Sequence, residues 1–322
     1  MNKVIRIGTR ESQLAAWQAA QVQQLLLQYN FSSELVYIKS EGDIDLQTPL
    51  YEMGVQGIFT KSLDIALLNN KIDIAVHSMK DVPTQLAKGI MEAAVLKRAS
   101  YKDLLVYKGE LSVAGDQLGY KNNKWLDSSL ITHHSSLSIA TSSTRRKAQW
   151  LNRYPEHTLE NLRGNVNTRL RKLEESNWNG AIFAAAGLER INLRPENSIE
   201  LDWMLPAPAQ GAIMVVCRED DDFCFTACKN FNDIETALCT KIERGFLRAL
   251  MGGCSTPISA LAEIHESEVV FKGNVLSLDG KEKVEVNEKA EVLESFDLGE
   301  KAGRIALSKG ANKIVEAIHA AK

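Results

Sequence analysis

The stretch Ile72-Asp73-Ile74-Ala75-Val76-His77-Ser78-Met79-Lys80-Asp81-Val82-Pro83-Thr84 constrains this chain more than any other. Ile72, Ile74 and Val76 are β-favouring residues between Asn70-Lys71 and Pro83, a pattern that predicts a short buried strand. The apolar run then stops, and His77, Ser78, Lys80 and Asp81 follow within five positions. In an open α/β sheet, ligands bind beyond the carboxyl ends of the strands. Val82 precedes a proline and is pushed towards extended geometry, which stiffens the loop. Read alone, the same stretch is equally an ordinary strand exit with polar residues facing water.

Its neighbours decide what kind of sheet it joins. Lys3 to Gly8 alternates as a strand and runs into Gly8-Thr9-Arg10-Glu11-Ser12, then into a helical stretch from Gln13 to Gln28. A strand, a tight turn and a helix start make an anion site, because the first helical N–H groups have no partner. Arg10 adds a full charge there, unless it merely faces solvent. Glu34 to Lys39 reads as a second strand and Phe59 to Leu68 as an amphipathic helix. The intervening Asp45 to Gly57 has two glycines, one proline and no period, the character of a lid loop. Strand and helix alternating in this way predict parallel pairing.

Ile90 to Val95 and Asp103 to Tyr107 read as strands, the latter crossing towards a second unit. Residues 110 to 135 are polar, and His133-His134 within them reads as loop rather than as a ligand pair. The second unit repeats the first: strands at Leu137 to Ala140, Thr158 to Leu162 and Ala181 to Ala185, with helices at Ser142 to Arg153 and Val166 to Ser176. From 141 to 171 the basic residues Arg145, Arg146, Lys147, Arg153, Arg163, Arg169 and Arg171 stand against Glu156 and Glu160. The net charge of the chain is only −3, so this basic character is local and does not mark a general polyanion binder. Thr141-Ser142-Ser143-Thr144-Arg145-Arg146 and Arg163-Gly164-Asn165-Val166-Asn167-Thr168-Arg169 both open helices just past strands. Hydroxyls, free N–H groups and guanidiniums at such places suit carboxylates or phosphates better than a solvated basic face would.

Leu205-Pro206-Ala207-Pro208-Ala209-Gln210-Gly211 is a rigid connector, and Ala212 to Cys217 after it is a strand that can return to the first sheet. Asp233 to Leu250 is an amphipathic helix ending at Gly252-Gly253. Strands at Ile258 to Ile264, Glu268 to Leu278 and Lys281 to Glu285, then helices at Leu298 to Leu307 and Asn312 to His319, complete a small α+β domain. Of the cysteines, Cys217, Cys224, Cys228, Cys239 and Cys254, no two form Cys-x-x-Cys and no histidine pair stands beside them, so no metal site is expected. An odd count predicts free thiols. With no apolar run near ~20 residues and charges at Lys3, Arg6, Arg10 and Glu11, the chain is expected to be cytoplasmic, with neither a membrane nor a nucleic acid as partner.

Six pieces taken in order resemble the hydroxymethylbilane synthase (porphobilinogen deaminase) family: Gly8-Thr9-Arg10-Glu11-Ser12-Gln13-Leu14-Ala15, His77 to Pro83, Thr141 to Arg146, Leu162 to Leu170, Pro206 to Ala212, and Gly252-Gly253-Cys254-Ser255-Thr256-Pro257. The resemblance spans nearly the whole chain. It implies an α/β architecture of two doubly wound lobes like those of periplasmic binding proteins, plus the small C-terminal α+β domain. The expected division is 1–102 with 208–230, 103–207, and 231–322. It implies a monomer that joins four porphobilinogen molecules head to tail, releasing ammonia at each addition, to give linear hydroxymethylbilane for haem biosynthesis. The family primes this chain on a dipyrromethane cofactor, held by a thioether to the position of Cys254. By its residues alone, Cys254 is a thiol after two glycines at a helix end.

Each pyrrole carries an acetate and a propionate, so a primed and extended chain brings roughly a dozen carboxylates into one cleft, and arginine binds these in bidentate fashion. The family's binding positions fall on Arg10, Arg145, Arg146, Arg163, Arg169, Arg190 and Gln210, with Thr141, Ser142 and Ser143 as further donors. Ser78 and Lys80 are expected to bind cofactor or substrate carboxylates. Asp81 is the family's catalytic carboxylate, facing the positive charge that develops on pyrrole nitrogens. His77 is expected to be structural. Two positions depart from the family: Gln56 stands where a loop lysine is usual, with Lys61 as a substitute, and Ala209 replaces a glycine in the connector. A non-catalytic anion-binding protein of the same fold, or an enzyme using Cys254 with His77, are the competing readings.

Overall fold

The computed structural model describes residues 3–39, 60–108, 136–251 and 256–320. The first sheet has the order β2-β1-β3-β10-β4, from β1 (Ile5–Thr9), β2 (Ser33–Tyr37), β3 (Ile74–Ser78), β4 (Ile90–Val95) and β10 (Ile213–Arg218). The second has the order β7-β6-β8-β5-β9, from β5 (Asp103–Tyr107), β6 (Ser138–Ala140), β7 (Thr158–Glu160), β8 (Gly180–Ala184) and β9 (Ser198–Glu200). Both follow one plan. A first strand is flanked by two parallel partners, and the fourth place is filled by a strand running antiparallel to both neighbours.

That fourth strand is contributed from outside the run of the others. β5 arrives from the first lobe before the rest of its sheet, and β10 returns after the second lobe is finished. The parallel pairing expected from strand–helix alternation therefore holds around β1 and β6 but not in the fourth place. The connector's return to the first sheet is as its sequence predicts. β9 and two helices, α5 (Ala185–Glu189) and α6 (Asp222–Lys229), lie where no regular element was expected. They are short, three to eight residues, and carry too few turns for a period to show.

Helices cover both sheets. Ile5, Ile7, Ile74 and Val215 are fully or almost fully buried against α1 (Gln13–Gln28) and α6. The other face of the first sheet packs on α2 (Lys61–Leu68) through Leu63 and Leu67. In the second lobe, α3 (Thr144–Arg153) places Trp150 in one core, and Leu173 of α4 (Val166–Glu175) occupies the other. The C-terminal domain is an antiparallel meander of β11 (Ile258–His265), β12 (Glu268–Leu276) and β13 (Lys283–Glu291). It is covered by α7 (Ile234–Ala249), α8 (Leu298–Ala306) and α9 (Asn312–Ala320), with Phe246 on Phe271 at its centre. β13 runs six residues beyond the strand expected at 281–285, because the polar run Asn287-Glu288-Lys289 on this edge strand masks the strand pattern.

The two chain crossings between lobes, 96–102 and 201–212, pass backbone to backbone. Ala99 N–H donates to Gly211 O at 3.1 Å, and Leu201 N–H donates to Asp103 O at 2.8 Å. Gly211 has φ +88°, and a Cβ there would stand 2.7 Å from Ala99 O and 2.8 Å from Ser100 O. Gly211→Ala is expected to cost about 2–4 kcal/mol from combined left-handed strain and overpacking, read as a lower urea midpoint with an unchanged slope.

Candidate functional site

The polar residues singled out by sequence gather where the carboxyl ends of β1, β3 and β6 face one another. Ser78 closes β3, and Met79–Asp81 forms a single 3-10 turn, closed by Val82 N–H donating to Met79 O at 3.1 Å. Met79 is 1% exposed and anchors the turn, leaving Lys80 and Asp81 half-buried beside it. Ser78 meets the side-chain amide of Gln18 on α1 at 2.9 Å. Arg10 precedes α1, whose N-cap Ser12 accepts from Ala15 N–H at 3.3 Å.

The second lobe presents its helix starts to the same space. Ser143 caps α3 by accepting from Arg146 N–H at 3.4 Å, and Asn165 caps α4 by accepting from Thr168 N–H at 2.9 Å. Asn167 reaches Gln13 of the first lobe at 2.9 Å. Around the α3 start the hydroxyls shape the loop: Thr141 Oγ1 accepts from Ser143 N–H, and Ser142 Oγ donates to Leu162 O. Arg163 is 4% exposed, and Arg169 donates to Gly164 O at 2.7 Å.

A residue the sequence reading passed over holds this site together. Asp103, which opens β5, has no exposed surface and meets Arg146 through Nε at 3.1 Å and Nη2 at 2.7 Å. Its second oxygen faces Arg145 Nη2 at 2.8 Å, an ion pair without an aligned hydrogen bond. Gln210 donates to Asp103 at 2.9 Å and to Tyr101 O at 2.8 Å, while its oxygen lies 3.3 Å from Lys80 Nζ. Gln210 is fully buried, so the connector residue ties both crossings to the Lys80 turn. The signal that could have found Asp103 is small: one carboxylate at the head of the apolar run Leu104-Leu105-Val106. Arg190 stands differently again, donating to Gly211 O at 2.7 Å and lying over the Trp17 ring.

The electrostatics follow from burial among like charges. Burial, then the field of Arg146, pushes the Lys80 ammonium down to about 8 against the pull of Asp81 and Asp103. Burial, then Arg146, lowers Arg169 to about 10, with Asp81 the carboxylate that opposes the fall. Burial alone would raise Asp103, but Arg145, Arg146, Gln210 and Lys80 outweigh it and hold the carboxyl at about 2. His77 is driven down to about 3 by burial and by Arg10, so its ring is neutral at neutral pH and fits the structural role expected of it. The charge of Asp81 thus acts on Lys80 of its own lobe and on Arg169 of the other.

Cys254 and Gln56 lie outside the described residues, as do residues 110 to 135, with His133-His134 within them, and the whole of the expected lid, Asp45 to Gly57. Lys61 is exposed at the start of α2. Cys217, Cys224, Cys228 and Cys239 are free and buried. Among the described residues no group of His, Cys, Asp or Glu is arranged to hold a metal, and no helix is long and apolar enough to cross a membrane. The connector's Ala209 has φ +62°, the left-handed conformation that a glycine adopts at less cost.

Removing the Asp103 charge leaves two guanidiniums buried without a counterion. Asp103→Asn should lower stability by about 3–5 kcal/mol at neutral pH. A carboxyl depressed to about 2 contributes fully above its unfolded value near 4, and that contribution is lost as pH falls through 2. Urea titrations between pH 5 and 2 should therefore show a shallower acid loss in Asp103→Asn than in the parent. Asp73, also near 2, titrates in both proteins and cancels in the difference.

Comparison with known proteins agrees over the whole chain. The family model described as porphobilinogen deaminase, dipyromethane cofactor binding domain, matches residues 5–225, and porphobilinogen deaminase, C-terminal domain, matches residues 237–307. The chain is 38% identical to the porphobilinogen deaminase of Syntrophotalea carbinolica, over 98% of this chain and 96% of that one. It is 37% identical to that of Desulforamulus reducens, over 99% of each. It is also 39% identical to the probable porphobilinogen deaminase of Methanocaldococcus jannaschii, over 93% of this chain and 98% of that one. With both family models in register and relatives matched end to end, the chain belongs to the porphobilinogen deaminase family.

Proposed function

We propose that this protein is a hydroxymethylbilane synthase, a transferase that condenses four porphobilinogen molecules with loss of ammonia into the linear tetrapyrrole. The observation that carries the reading is the carboxylate of Asp81, whose charge acts on both Lys80 and Arg169 at a place where, among the described residues, cations outnumber acids. As ammonia leaves porphobilinogen, its C–N bond breaks and positive charge spreads from the methylene carbon to the ring nitrogen. A carboxylate fixed against that nitrogen stabilises the charge, an effect worth about 3–4 kcal/mol for one well-placed group. When the new carbon–carbon bond forms, the attacking pyrrole must lose the proton of its bonding carbon, and Asp81 is the proposed acceptor.

The donor set fits a dipyrromethane bearing acetates and propionates, which needs several cations around one acidic group. When bound, the dipyrromethane supplies the pyrrole carbon from which the chain starts, and Cys254 is its proposed thioether anchor. Arg10, Lys80, Arg163 and Arg169 are the proposed direct partners of the carboxylates, with Ser78 as a further donor. Arg146 spends its guanidinium on Asp103 and Ile182 O, and Arg145 contacts Leu205 O, so both act here chiefly through their field. Thr141, Ser142 and Ser143 hold the α3 start towards the ligand, while Arg190 and Gln210 hold the connector behind it. A monomeric working unit is part of the same proposal.

Intact-protein mass spectrometry tests the core of this reading. The purified chain should weigh two linked pyrroles more than its polypeptide, and Cys254→Ser should lack the increment. A bare mass together with no product from porphobilinogen would refute it. Asp81→Ala should slow turnover by about 10²–10³-fold, and near-normal turnover would remove Asp81 from its role.

Lys80 adds a pH signature. Its charge is present below about 8 and lost above, so kcat/KM should fall as pH rises through that value. In Lys80→Arg the cation persists and the alkaline fall should move upward; an unmoved limb would assign the titration to another group.

A further inference from the structure

The turn carrying Asp81 is gripped from outside the cleft. Arg244 of α7 donates through Nη1 to Val82 O at 2.9 Å and to Met79 O at 3.4 Å, and through Nη2 to Pro83 O. These carbonyls bracket Asp81 in sequence, and Met79 O is the acceptor that closes the 3-10 turn itself. A planar guanidinium presents its donors in a fixed fork, so three carbonyls on one cation define both the position and the tilt of the turn. Burial lowers Arg244, with Glu92 and Arg248 the charged groups that act on it.

The next residue back on the same helix grips the other side of the site. Glu243 is 0% exposed and pairs with Arg98 at 2.6 Å, while accepting from Ala209 N–H at 2.6 Å and Ala262 N–H at 2.9 Å. Ala209 precedes Gln210, whose oxygen faces Lys80. One turn of α7 thus fixes the backbone beneath Asp81 and the connector that reaches Lys80, although neither α7 residue faces the cleft.

We propose that Arg244 is a positioning residue for the condensation, holding the Met79–Pro83 backbone so that the Asp81 carboxylate meets the charge developing on the pyrrole. This rests on the reading of Asp81 given above. The alternative is that Arg244 only fastens the C-terminal domain to the first lobe. The two differ in what they move. A fastening alone affects the melting temperature and the yield of folded holoenzyme. A positioning role affects kcat per holoenzyme, because a displacement near 1 Å costs about a hundredfold, and it leaves KM nearly unchanged.

The test compares purified holoenzymes of the parent, Arg244→Gln and Arg244→Lys, each counted by the mass of its loaded form and assayed for product from porphobilinogen. Arg244→Gln should lose kcat by about a hundredfold with KM within about threefold of the parent. Arg244→Lys keeps a cation but not the fork, and should recover part of the loss. Millimolar guanidinium in the assay should raise kcat of Arg244→Gln and not that of the parent. Parent-like kcat in loaded Arg244→Gln, with only a lower melting temperature, would overturn the proposal. If Arg244→Gln does not fold, Arg244→Lys decides: a lowered kcat at unchanged KM supports it and a parent-like kcat overturns it. An inactive, unloaded parent would instead refute the functional reading itself, which separates the two failures.

Discussion

The buried carboxylate of Asp103 is the contact on which the rest of the cleft depends. Two adjacent guanidiniums, from Arg145 and Arg146, open α3 with almost no exposed surface, and such a pair is untenable in a protein interior without an anion between them. Asp103 supplies one negative charge against these two and against nearby Lys80. The balance stays positive, and that residue of uncompensated charge is what a carboxylate-bearing ligand can answer. A second acid at the same place would cancel much of that charge; none at all would force the arginines apart.

The location of that pair matters as much as its chemistry. Asp103 stands where one crossing enters the second sheet, and Gln210 stands in the connector that leaves it. Their 2.9 Å hydrogen bond ties the two passages between lobes together behind the candidate site. The shared sheet plan then brings equivalent loops together, those after β1 and β3 facing those after β6. The two halves do not contribute alike. The second lobe offers cations at helix starts, whereas the first offers Arg10 and Lys80 together with the acid Asp81. Chemistry that must hold many carboxylates yet stabilise a passing cation needs that asymmetry.

Much of this was legible in the chain itself. The strands Ile90–Val95 and Asp103–Tyr107 stand where their β-branched and apolar runs predicted, as does the 16-residue helix α7. The motifs at Arg10, Lys80-Asp81, Thr141–Arg146 and Arg163–Arg169 converge because each follows a strand of the same hand. What stayed hidden was tertiary. Nothing local marks Asp103 as an ion-pair centre, since a charged residue at a strand start is common in loops as well. Glu243 and Arg244 read as two charges on an amphipathic helix, and only the folded chain shows that one is wholly buried and the other faces carbonyls 161 to 165 positions earlier. Antiparallel insertion of β5 and β10 was similarly invisible, because strand direction leaves no trace in composition.

The place of β10 also bears on how the protein is made. β10 separates β3 from β4, yet it is synthesised roughly 120 residues after β4, a gap on the order of 6–24 s at ~5–20 residues per second. Until then, β3 and β4 have no common neighbour, and Ala75, Val76, Ala94 and Val95 lack the strand that covers their edges. The second sheet waits as well, β5 ending 73 residues before its partner β8 begins, but its last strand, β9, ends before β10 is made. The lobe encoded second therefore completes first, and the nascent first lobe is the stretch that needs shielding from its neighbours on a polysome.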